Sequence, residues 1–542
     1  MKILLAVLSL SAVLAAQTSM AHVNDARSHG ALGDAFLSLD EAIRLANGQL
    51  AATQLSAAER AMLMGSGPPE TIELDAARTP VVTVERSLTP VDGPPAGTPV
   101  RIESHGATAP VLAASGTSVV LHLRTSRASV HGLTLRGGRI GLLADTSVRD
   151  APTEHAMLMH LGFDGQSEAG LRLAAAATPA RVMLSHATFV NQASAILVDD
   201  RATGAGVSFM ADHLTFDATA VALDVACDAY GLTSMCELAH VTARAGQFLR
   251  SRRSPASSQR VMLMLRDVDM QTTGDALDVQ GNAVGDTLLH YHHCDVQPGS
   301  NARALYAWPQ DSRFDLHGSE NVVHGDVEVL AGRLTRRIWS WNCVFRDGTV
   351  SIANQGTRPS LRWNRFERCT VRTTAGNRTP LAFNSCEFWS CTLDGQASSA
   401  AITLDNCYLA QTGTTSGVEN HGPAPSPWIG TSGSSTESPR IGAHVDLNLR
   451  LPPGMAGVWM LGLADPAPLY TEEPWRFYAF RETLITLPGV YVATSQLRLP
   501  IPPMPRLVGV AFYLQPVTVP FAGQSHVPVF NLPRGTYLTP QP

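Results

Sequence analysis

The chain is almost without lysine. Lys2 is its only lysine, and arginine supplies every other basic side chain. Once an N-terminal segment is removed on export, no amine side chain remains, which excludes Schiff-base chemistry and a lysine general base. Charged residues are also scarce, at 16% of the chain, and the formal net charge is -6. This balance argues against a nucleic-acid partner, because such proteins carry a basic surface.

Long apolar runs are missing except at the start of the chain. Lys2 and the apolar residues 3–16 have the order of a signal peptide, and Ser19-Met20-Ala21 offers small residues at both recognition positions. We therefore predict a signal peptide over 1–21, with cleavage before His22. The apolar stretch is too short to span a bilayer. We expect a secreted or cell-surface protein with no transmembrane segment after cleavage.

Cysteine is too sparse for a disulfide scaffold: there are eight, all between Cys227 and Cys407. None has the CxxC spacing of a zinc site. Cys227 and Cys236 bracket a short loop, and we predict a disulfide between them. Most of the others occupy positions that should face a core, where a free thiol behaves as a small apolar residue. Disulfides between neighbouring pairs (Cys386 with Cys407, Cys369 with Cys391) remain an alternative.

What the sequence does contain is a repeat. One apolar position recurs at near-constant spacing, with steps of 26–28 residues as far as Val323 and of 21–22 residues after it. Its members are Leu135, Phe163, Phe189, Phe216, Ala243, Met270, Val296, Val323, Phe345, Phe366, Phe388 and Leu409. Each repeat has three short alternating apolar runs separated by polar turns, which is typical of strands rather than helices. The spacing predicts an all-β fold, a right-handed parallel β-helix of about 12 coils over residues 111–412.

Residues 22–110 precede the repeat and are predicted to cover its first coil. Ser38 with Glu41 and Ser56 with Glu59 each form a capping-box pattern. We expect one short helix ending near Asn47 and a second ending near Met64. A solenoid needs such a cover because its first coil otherwise exposes core and unpaired strand edges.

The end of the chain has a different composition. Residues 413–440 are rich in Ser, Thr, Gly and Pro, which is typical of a linker. Residues 441–542 hold 16 of the 35 prolines and no cysteine. Runs such as Val458–Leu461 and Leu507–Leu514 predict strands of a small β-sandwich domain.

Two segments resemble known proteins. Ser38-Leu39-Asp40-Glu41-Ala42-Ile43 is similar to the S-L-x-E-A-I opening of bacterial extracellular β-helix proteins of the pectin-lyase-like superfamily, and the coils are similar to that superfamily's repeats. The resemblance covers about residues 30–412. It implies the fold but no single activity, because the superfamily includes lyases, hydrolases, epimerases and adhesins. Val508–Gln515 is similar to a strand of the C-terminal modules of planctomycete-type secreted proteins.

A histidine column follows from the repeat. His160, His186, His213, His240 and His293 each stand three residues before the apolar position. In this superfamily the corresponding position is a bend that often carries a ladder of stacked Asn side chains. The bend needs a left-handed backbone, which Asn, Asp and His tolerate best. We interpret the column as a structural ladder. A metal-binding or proton-relay stripe is the alternative.

Three carboxylates form the candidate cation site. Asp267 and Asp269 lie on one coil, and Asp295 occupies the slot of Asp269 on the next coil. Stacked carboxylates can hold Ca²⁺, and the pectate-lyase resemblance implies a cluster of this kind with an arginine base, for which Arg266 is the candidate. The alternative is a solvated face with local ion pairs. Ca²⁺ is the only cofactor that the sequence indicates.

A basic and aromatic stretch is the candidate binding surface. Residues 333–378 contain ten arginines against Asp347 and Glu367. Strand alternation should turn four side chains outward and place a fifth in the bend: Trp339, Trp341, Arg362 and Arg365, with Trp363 in the bend. Indole faces stack on sugar rings, and guanidinium groups hold carboxylate or sulfate. The alternative is a charged face that keeps the solenoid soluble.

These observations favour a protein that binds acidic polysaccharide without catalysis, since no complete catalytic signature is present. A Ca²⁺-dependent polysaccharide lyase of the pectate-lyase type is the first alternative. A structural envelope or adhesin-like protein is the second. A lyase would release unsaturated uronides, a binding protein would release nothing, and a structural protein would neither bind nor cleave.

Overall fold

The fold was analysed in a computed structural model. The structure describes residues 19–421 except for 94–96, 117, 146–153, 176–178, 201–204, 228–232, 254–257, 282–284, 309–312, 333–334, 336, 355–358, 363, 374–378, 385, 396–401, 406 and 416. Beyond residue 421 it describes the strands given below and residues 502 and 504. These residues fall into two compact units: the first lies within 1–315 and 325–336, and the second within 316–324 and 337–542.

Parallel strands dominate the chain. The helices are α1 Leu39–Ala46 and α2 Ala57–Arg60, with a 3-10 turn at Ala52–Gln54. The strands up to residue 308 are β1 Met20–Val23, β2 Leu63–Met64, β3 Thr71–Asp75, β4 Val81–Val84, β5 Val100–His105, β6 Val111–Ala114, β7 Val119–Leu123, β8 Ala128–His131, β9 Thr134–Gly137, β10 Ile140–Asp145, β11 Ala156–Met159, β12 Gly162–Asp164, β13 Ala169–Ala174, β14 Ala180–Val190, β15 Ser194–Asp200, β16 Val207–Cys227, β17 Ser234–Arg253, β18 Val261–Thr272, β19 Leu277–Gln280, β20 Thr287–His292, β21 Asp295–Gln297 and β22 Arg303–Trp308.

The remaining strands follow the shorter repeat and then the C-terminal segment. They are β23 Phe314–Ser319, β24 Val322–His324, β25 Asp326–Ala331, β26 Arg337–Trp341, β27 Val344–Arg346, β28 Thr349–Asn354, β29 Ser360–Arg362, β30 Arg365–Glu367, β31 Thr370–Thr373, β32 Leu381–Asn384, β33 Glu387–Trp389, β34 Thr392–Asp394, β35 Ile402–Asp405, β36 Tyr408–Ala410, β37 Gly413–Thr414, β38 Val418–Asn420, β39 His444–Arg450, β40 Met455–Leu463, β41 Ile485–Thr486, β42 Tyr491–Val492, β43 Thr494–Pro500, β44 Phe512–Pro520 and β45 Thr536–Leu538.

The predicted apolar column is a vertical stack in the first unit. Parallel pairing brings Phe163 opposite Phe189, and Phe189 opposite Phe216, in successive coils. Their ring centroids lie 4.5 Å and 5.2 Å apart, and all three side chains are buried. The column begins earlier than the sequence predicts, because Val82 and Leu112 pair below Leu135. The parallel β-helix is therefore confirmed.

The second unit repeats the arrangement with a tighter coil. Phe345, Phe366 and Phe388 pair in register and stack with centroid distances of 5.0 Å and 4.9 Å. Each coil again has three strands, as in β26, β27 and β28, which pair with β29, β30 and β31. The strands continue to Asn420, past the predicted end at residue 412, because β37 and β38 pair with β34 and β35. Backbone hydrogen bonds do not depend on side-chain polarity, so a Ser/Thr/Gly-rich sequence can still extend the coil.

The N-terminal helices form as predicted, with one difference. Ser38 and Glu41 cap each other's backbone at the start of α1, and α1 buries its apolar face beside β1 and β3. Burial raises the pKa of the Glu41 carboxyl. The second helix stops at Arg60 rather than near Met64, because Leu63 and Met64 pair with β1 instead.

The predicted cleavage point lies inside a strand. In β1, Met20, Ala21, His22 and Val23 pair with Thr71–Leu74 of β3, and Ala21 is fully buried. Cleavage before His22, as the sequence predicts, would remove the first two residues of this strand. Residues 1–18 lie outside the described residues. No helix among the described residues is long and apolar enough to cross a membrane.

The C-terminal strands are antiparallel, in contrast to the coils. β39 pairs with β43, while β40 pairs with β41, β42 and β44, and β44 pairs with β45. These strands form two small antiparallel sheets, and the β-sandwich stays a prediction. Residues 505–511, at the start of the second predicted strand, lie outside the described residues.

The predicted Cys227–Cys236 disulfide is not formed. None of the eight cysteines is disulfide-bonded, and all are buried. Cys236 pairs in register with Phe209 and Leu263, so it occupies an inward apolar position. Burial, and to a smaller extent the neighbouring Cys227, raises the pKa of the Cys236 thiol well above its usual value. A buried thiol of this kind is unreactive and packs as a small apolar side chain.

Candidate functional site

The histidine column lies at the bend between two strands of each coil in the first unit. His160, His186, His213, His240, Asp267 and His293 all have left-handed φ angles, between 51° and 56°. Adjacent imidazoles stack from His160 to His240, with centroid distances of 4.7–4.9 Å. Histidine tolerates this backbone better than most residues. The bend therefore presents a continuous imidazole surface.

One carboxylate joins two members of this column. Asp212 Oδ2 lies 2.7 Å from His213 Nδ1, and Asp212 Oδ1 lies 2.6 Å from His240 Nδ1 in the next coil. Partial burial acts to raise the pKa of the Asp212 carboxyl, but the hydrogen bonds with His240 and His213 outweigh it, so that its pKa is lowered. His240 Nε2 in turn lies 3.5 Å from Asp267 Oδ2.

A groove of about 390 Å³ runs beside this cluster. One part is lined by methionines, since Met157, Met183 and Met210 stand in register on successive strands. Met157 and Met183 keep 38% and 36% of their surface exposed. The other part is polar and includes Asp212, Glu237, His240 and Arg266. An exposed apolar patch with a polar edge is typical of a binding surface.

The three predicted calcium ligands do not share one surface. Asp269 and Asp295 are direct neighbours on β18 and β21 and point outward. Burial, and then the charge of Asp295, raises the pKa of Asp269. Asp267 instead occupies the bend column, where its carboxylate faces His240. The geometry supports a carboxylate pair rather than a cluster of three.

Arg266, the candidate base, is held by a carboxylate. Its guanidinium Nη2 lies 3.0 Å from Glu237 Oε1 in the preceding coil, at the polar part of the groove. This salt bridge fixes the position of the side chain. It also gives Arg266 a structural role that does not require proton abstraction.

The aromatic stretch forms an exposed surface in the second unit. Trp339 and Trp341 alternate with buried Ile338 and Ser340 along β26, so both indoles face away from the core. Arg362, which is exposed, stands in register with Trp341 on the next strand. Trp339 keeps 41% of its surface exposed, and its ring lies 4.8 Å from that of His317. We call Trp339, Trp341 and Arg362 the Trp/Arg face.

Arg365 belongs to a different sheet of the coil. Its Nε lies 2.6 Å from Glu367 Oε1, and its guanidinium carbon lies 5.0 Å from the centre of the Trp389 ring. The carboxylate neutralises Arg365, whereas no ion pair of Arg362 is found among the described residues. Trp363 lies outside the described residues. Two of the five predicted side chains are thus not part of the Trp/Arg face as the structure describes it.

Several features were missed by sequence reasoning. The row of methionines (Met157, Met183 and Met210) and the contacts of Asp212 with two histidines follow from the register of neighbouring strands. The repeat spacing in the sequence already predicts that register. A second left-handed column lies two residues after the apolar position and includes Asn191, Ala218, Asp347, Arg368, Ser390 and Gln411. Its mixed composition gives almost no sequence signal, because only some of these residue types favour such a backbone.

Comparisons with known proteins add little about the activity. No family model matches the chain, and no curated protein matches it. Among solved structures, the chain is similar to the crystal structure of the Acinetobacter phage vB_ApiP_P1 tailspike protein, with 10% sequence identity and a TM-score of 0.20. That match covers 85% of this chain and 72% of the tailspike chain. A TM-score this low establishes no shared function.

Proposed function

We propose that this protein is an exported β-helix that binds an acidic polysaccharide through the Trp/Arg face and does not cleave it. The observation that carries the proposal is the register of half-buried Trp341 with exposed Arg362 on adjacent strands, beside the exposed indole of Trp339. Flat exposed indoles offer stacking surfaces for sugar rings. Arg362, for which the described part of the chain supplies no ion pair, can hold a uronate or sulfate group by paired hydrogen bonds.

The regular geometry of the coil supports an extended ligand. Trp339 and Trp341 lie two residues apart on one strand, and Arg362 adds a cation one strand away, at a step of about 4.8 Å. A polysaccharide chain can therefore meet stacking and charged groups along one flat surface. Solvent-exposed binding residues of this type require no pocket, which fits weak, repeated contacts along a polymer.

Affinity electrophoresis of the full chain in gels containing polygalacturonate, alginate or a sulfated glycan tests the proposal. A variant with Trp339→Ala and Arg362→Ala should be retained at least about tenfold less strongly, since a charge-assisted hydrogen bond alone contributes about 1.5–3 kcal/mol. Arg346→Ala is the matched control for the charge: it removes an arginine that already forms a salt bridge with Glu367. Retention that is unchanged in the double variant, or absent from the wild type on every acidic glycan, would refute the proposal.

A Ca²⁺-dependent lyase is the second candidate, favoured by the Asp269–Asp295 pair. Two adjacent carboxylates with a raised Asp269 pKa are the kind of group that a bound cation would stabilise in the charged form. Polygalacturonate supplied with Ca²⁺ would then give new ultraviolet absorbance from unsaturated uronides, and Asp269→Asn would abolish it. A purely structural envelope or adhesin-like protein predicts neither glycan retention nor new absorbance.

A further inference from the structure

We propose that Asp212, His213 and His240 form a site for a divalent transition metal, with Zn²⁺ as the representative ion. The three side chains offer one carboxylate oxygen and two imidazole nitrogens, and these ligand atoms all lie within 4.8 Å of one another. They come from two successive coils, so the fold itself brings them together. This inference concerns the first unit and does not rest on the proposed glycan binding.

The position of the carboxylate distinguishes this cluster from the rest of the histidine column. The outward slot that holds Asp212 is occupied by Ser185 in the preceding coil and by Ala239 in the following coil. Histidines that only form the bend stack without such a carboxylate. His160 and His186, for example, stack with their ring centroids 4.8 Å apart. Asp212 therefore marks one level of the column as chemically different.

The donor set selects the class of metal. Two imidazoles with one carboxylate suit Zn²⁺, Ni²⁺ or Cu²⁺, whereas Ca²⁺ and Mg²⁺ prefer an all-oxygen shell. Three protein ligands leave at least one coordination position for water or an external ligand. Asp212 and His240 line the groove, so that position would be accessible from it.

The second ring nitrogen of His240 supports the same conclusion. Metal binding at Nδ1 requires the imidazole proton to be on Nε2, and His240 Nε2 lies 3.5 Å from Asp267 Oδ2. A carboxylate opposite the ligating nitrogen fixes the tautomer and the orientation of metal-binding histidines. Asp267 is thus a positioning residue for this site rather than one of three calcium ligands.

The required movement is small. The Asp212 oxygens now lie 2.7 Å and 2.6 Å from the two Nδ1 atoms, as hydrogen-bond partners. Tetrahedral ligands at about 2.05 Å from Zn²⁺ are separated by about 3.3 Å, so each Asp212–histidine pair must open by less than about 1 Å. The ligand atoms of the two histidines lie within 4.8 Å of each other and must close by at most about 1.5 Å. His213 is exposed, and its ring can make this adjustment. On binding, the ring proton of each neutral imidazole moves from Nδ1 to Nε2, and protons compete with the metal for Nδ1, so affinity should fall as the pH is lowered.

Calorimetric titration of the full chain, without a polyhistidine tag, with zinc chloride tests the site. We expect zinc binding that is weakened at least about tenfold by Asp212→Asn, His213→Asn or His240→Asn, because Asn ligates poorly. At the two histidines, Asn also keeps the left-handed bend. His186→Asn is the matched control, since it alters the same column at a level without a carboxylate. Asp267→Asn should weaken binding by a smaller factor.

A second measurement keeps the result independent of folding. Co²⁺ should give the visible absorption bands of a tetrahedral site in the wild type and in His186→Asn, but not in His213→Asn. The melting temperature measured without metal verifies that each variant is folded. Absence of zinc binding to the wild type, or an equal loss in His186→Asn and His213→Asn, would overturn the proposal.

Discussion

The first and second units place apolar side chains in equivalent inward positions, but they differ in what they turn outward. The first unit shows stacked imidazoles, methionines and carboxylates beside a groove. The second shows the Trp/Arg face and surface ion pairs such as Arg368 with Asp347. Both units share the same phenylalanine stacking. The comparison indicates that the inward columns set stability, whereas the two units expose different chemistry at their outward positions.

The largest expected effect tests the shared part of this comparison. Phe189→Ala in the first unit and Phe366→Ala in the second should each lower the free energy of unfolding by about 3–5 kcal/mol, because each ring is sandwiched between two others. Chemical denaturation measures the loss. Thr188→Ala, an exposed neighbour of Phe189, should change it by less than about 0.5 kcal/mol. If the phenylalanine variants lost as little free energy of unfolding as Thr188→Ala, the stacked core would be contradicted.

A smaller effect is expected at the bends, where the two units use different residues for one backbone. His186 and Asn342 have φ angles of 52° and 53°. His186→Ala and Asn342→Ala should each cost about 1–2 kcal/mol, since a left-handed backbone is unfavourable for alanine. His186→Asn should be nearly neutral, as judged by the melting temperature. A large fall in melting temperature for His186→Asn would show that ring stacking, rather than tolerance of the left-handed backbone, explains why histidine occupies these bends.

The pH dependence should distinguish the outward chemistry of the first unit. The lowered pKa of Asp212 means that its charged form stabilises the fold above the unfolded value of about 4, and that this contribution is lost as the pH falls through the lower folded value. The difference in melting temperature between the wild type and Asp212→Asn should therefore shrink below about pH 4. A difference that stays constant in acid would contradict the two histidine contacts.

The smallest expected effect concerns the thiols of both units. All eight cysteines are buried and none is disulfide-bonded, so a thiol reagent should modify none in the folded protein and eight after denaturation. A reducing agent should leave the melting temperature unchanged. Six reactive thiols after denaturation, together with destabilisation by the reducing agent, would restore the disulfide that the sequence predicted.

The fold was predictable because its signal is cumulative. A constant step between Phe163, Phe189 and Phe216 recurs through many coils, and each recurrence adds evidence for vertical stacking. The same step predicted which histidines share the bend. Boundaries were less accurate, as at Arg60 and Asn420, because backbone pairing with a neighbouring strand overrides local composition.

The candidate sites were less predictable, since they depend on which side chain stands beside which. Asp267 and Asp269 are close in sequence, yet one occupies the bend and the other an outward slot. Arg362 and Arg365 are equally close, yet among the described residues Arg365 faces a carboxylate partner, Glu367, and Arg362 does not. Partners of this kind lie a whole coil away or across a bend, and composition alone does not indicate them.

Two variants measured in parallel test the central claim, that separate outward columns provide separate binding surfaces. Trp339→Ala with Arg362→Ala should lose retention on an acidic glycan gel and keep zinc binding. His213→Asn should lose zinc binding and keep glycan retention. Loss of both properties in either variant, or of neither in both, would contradict the account.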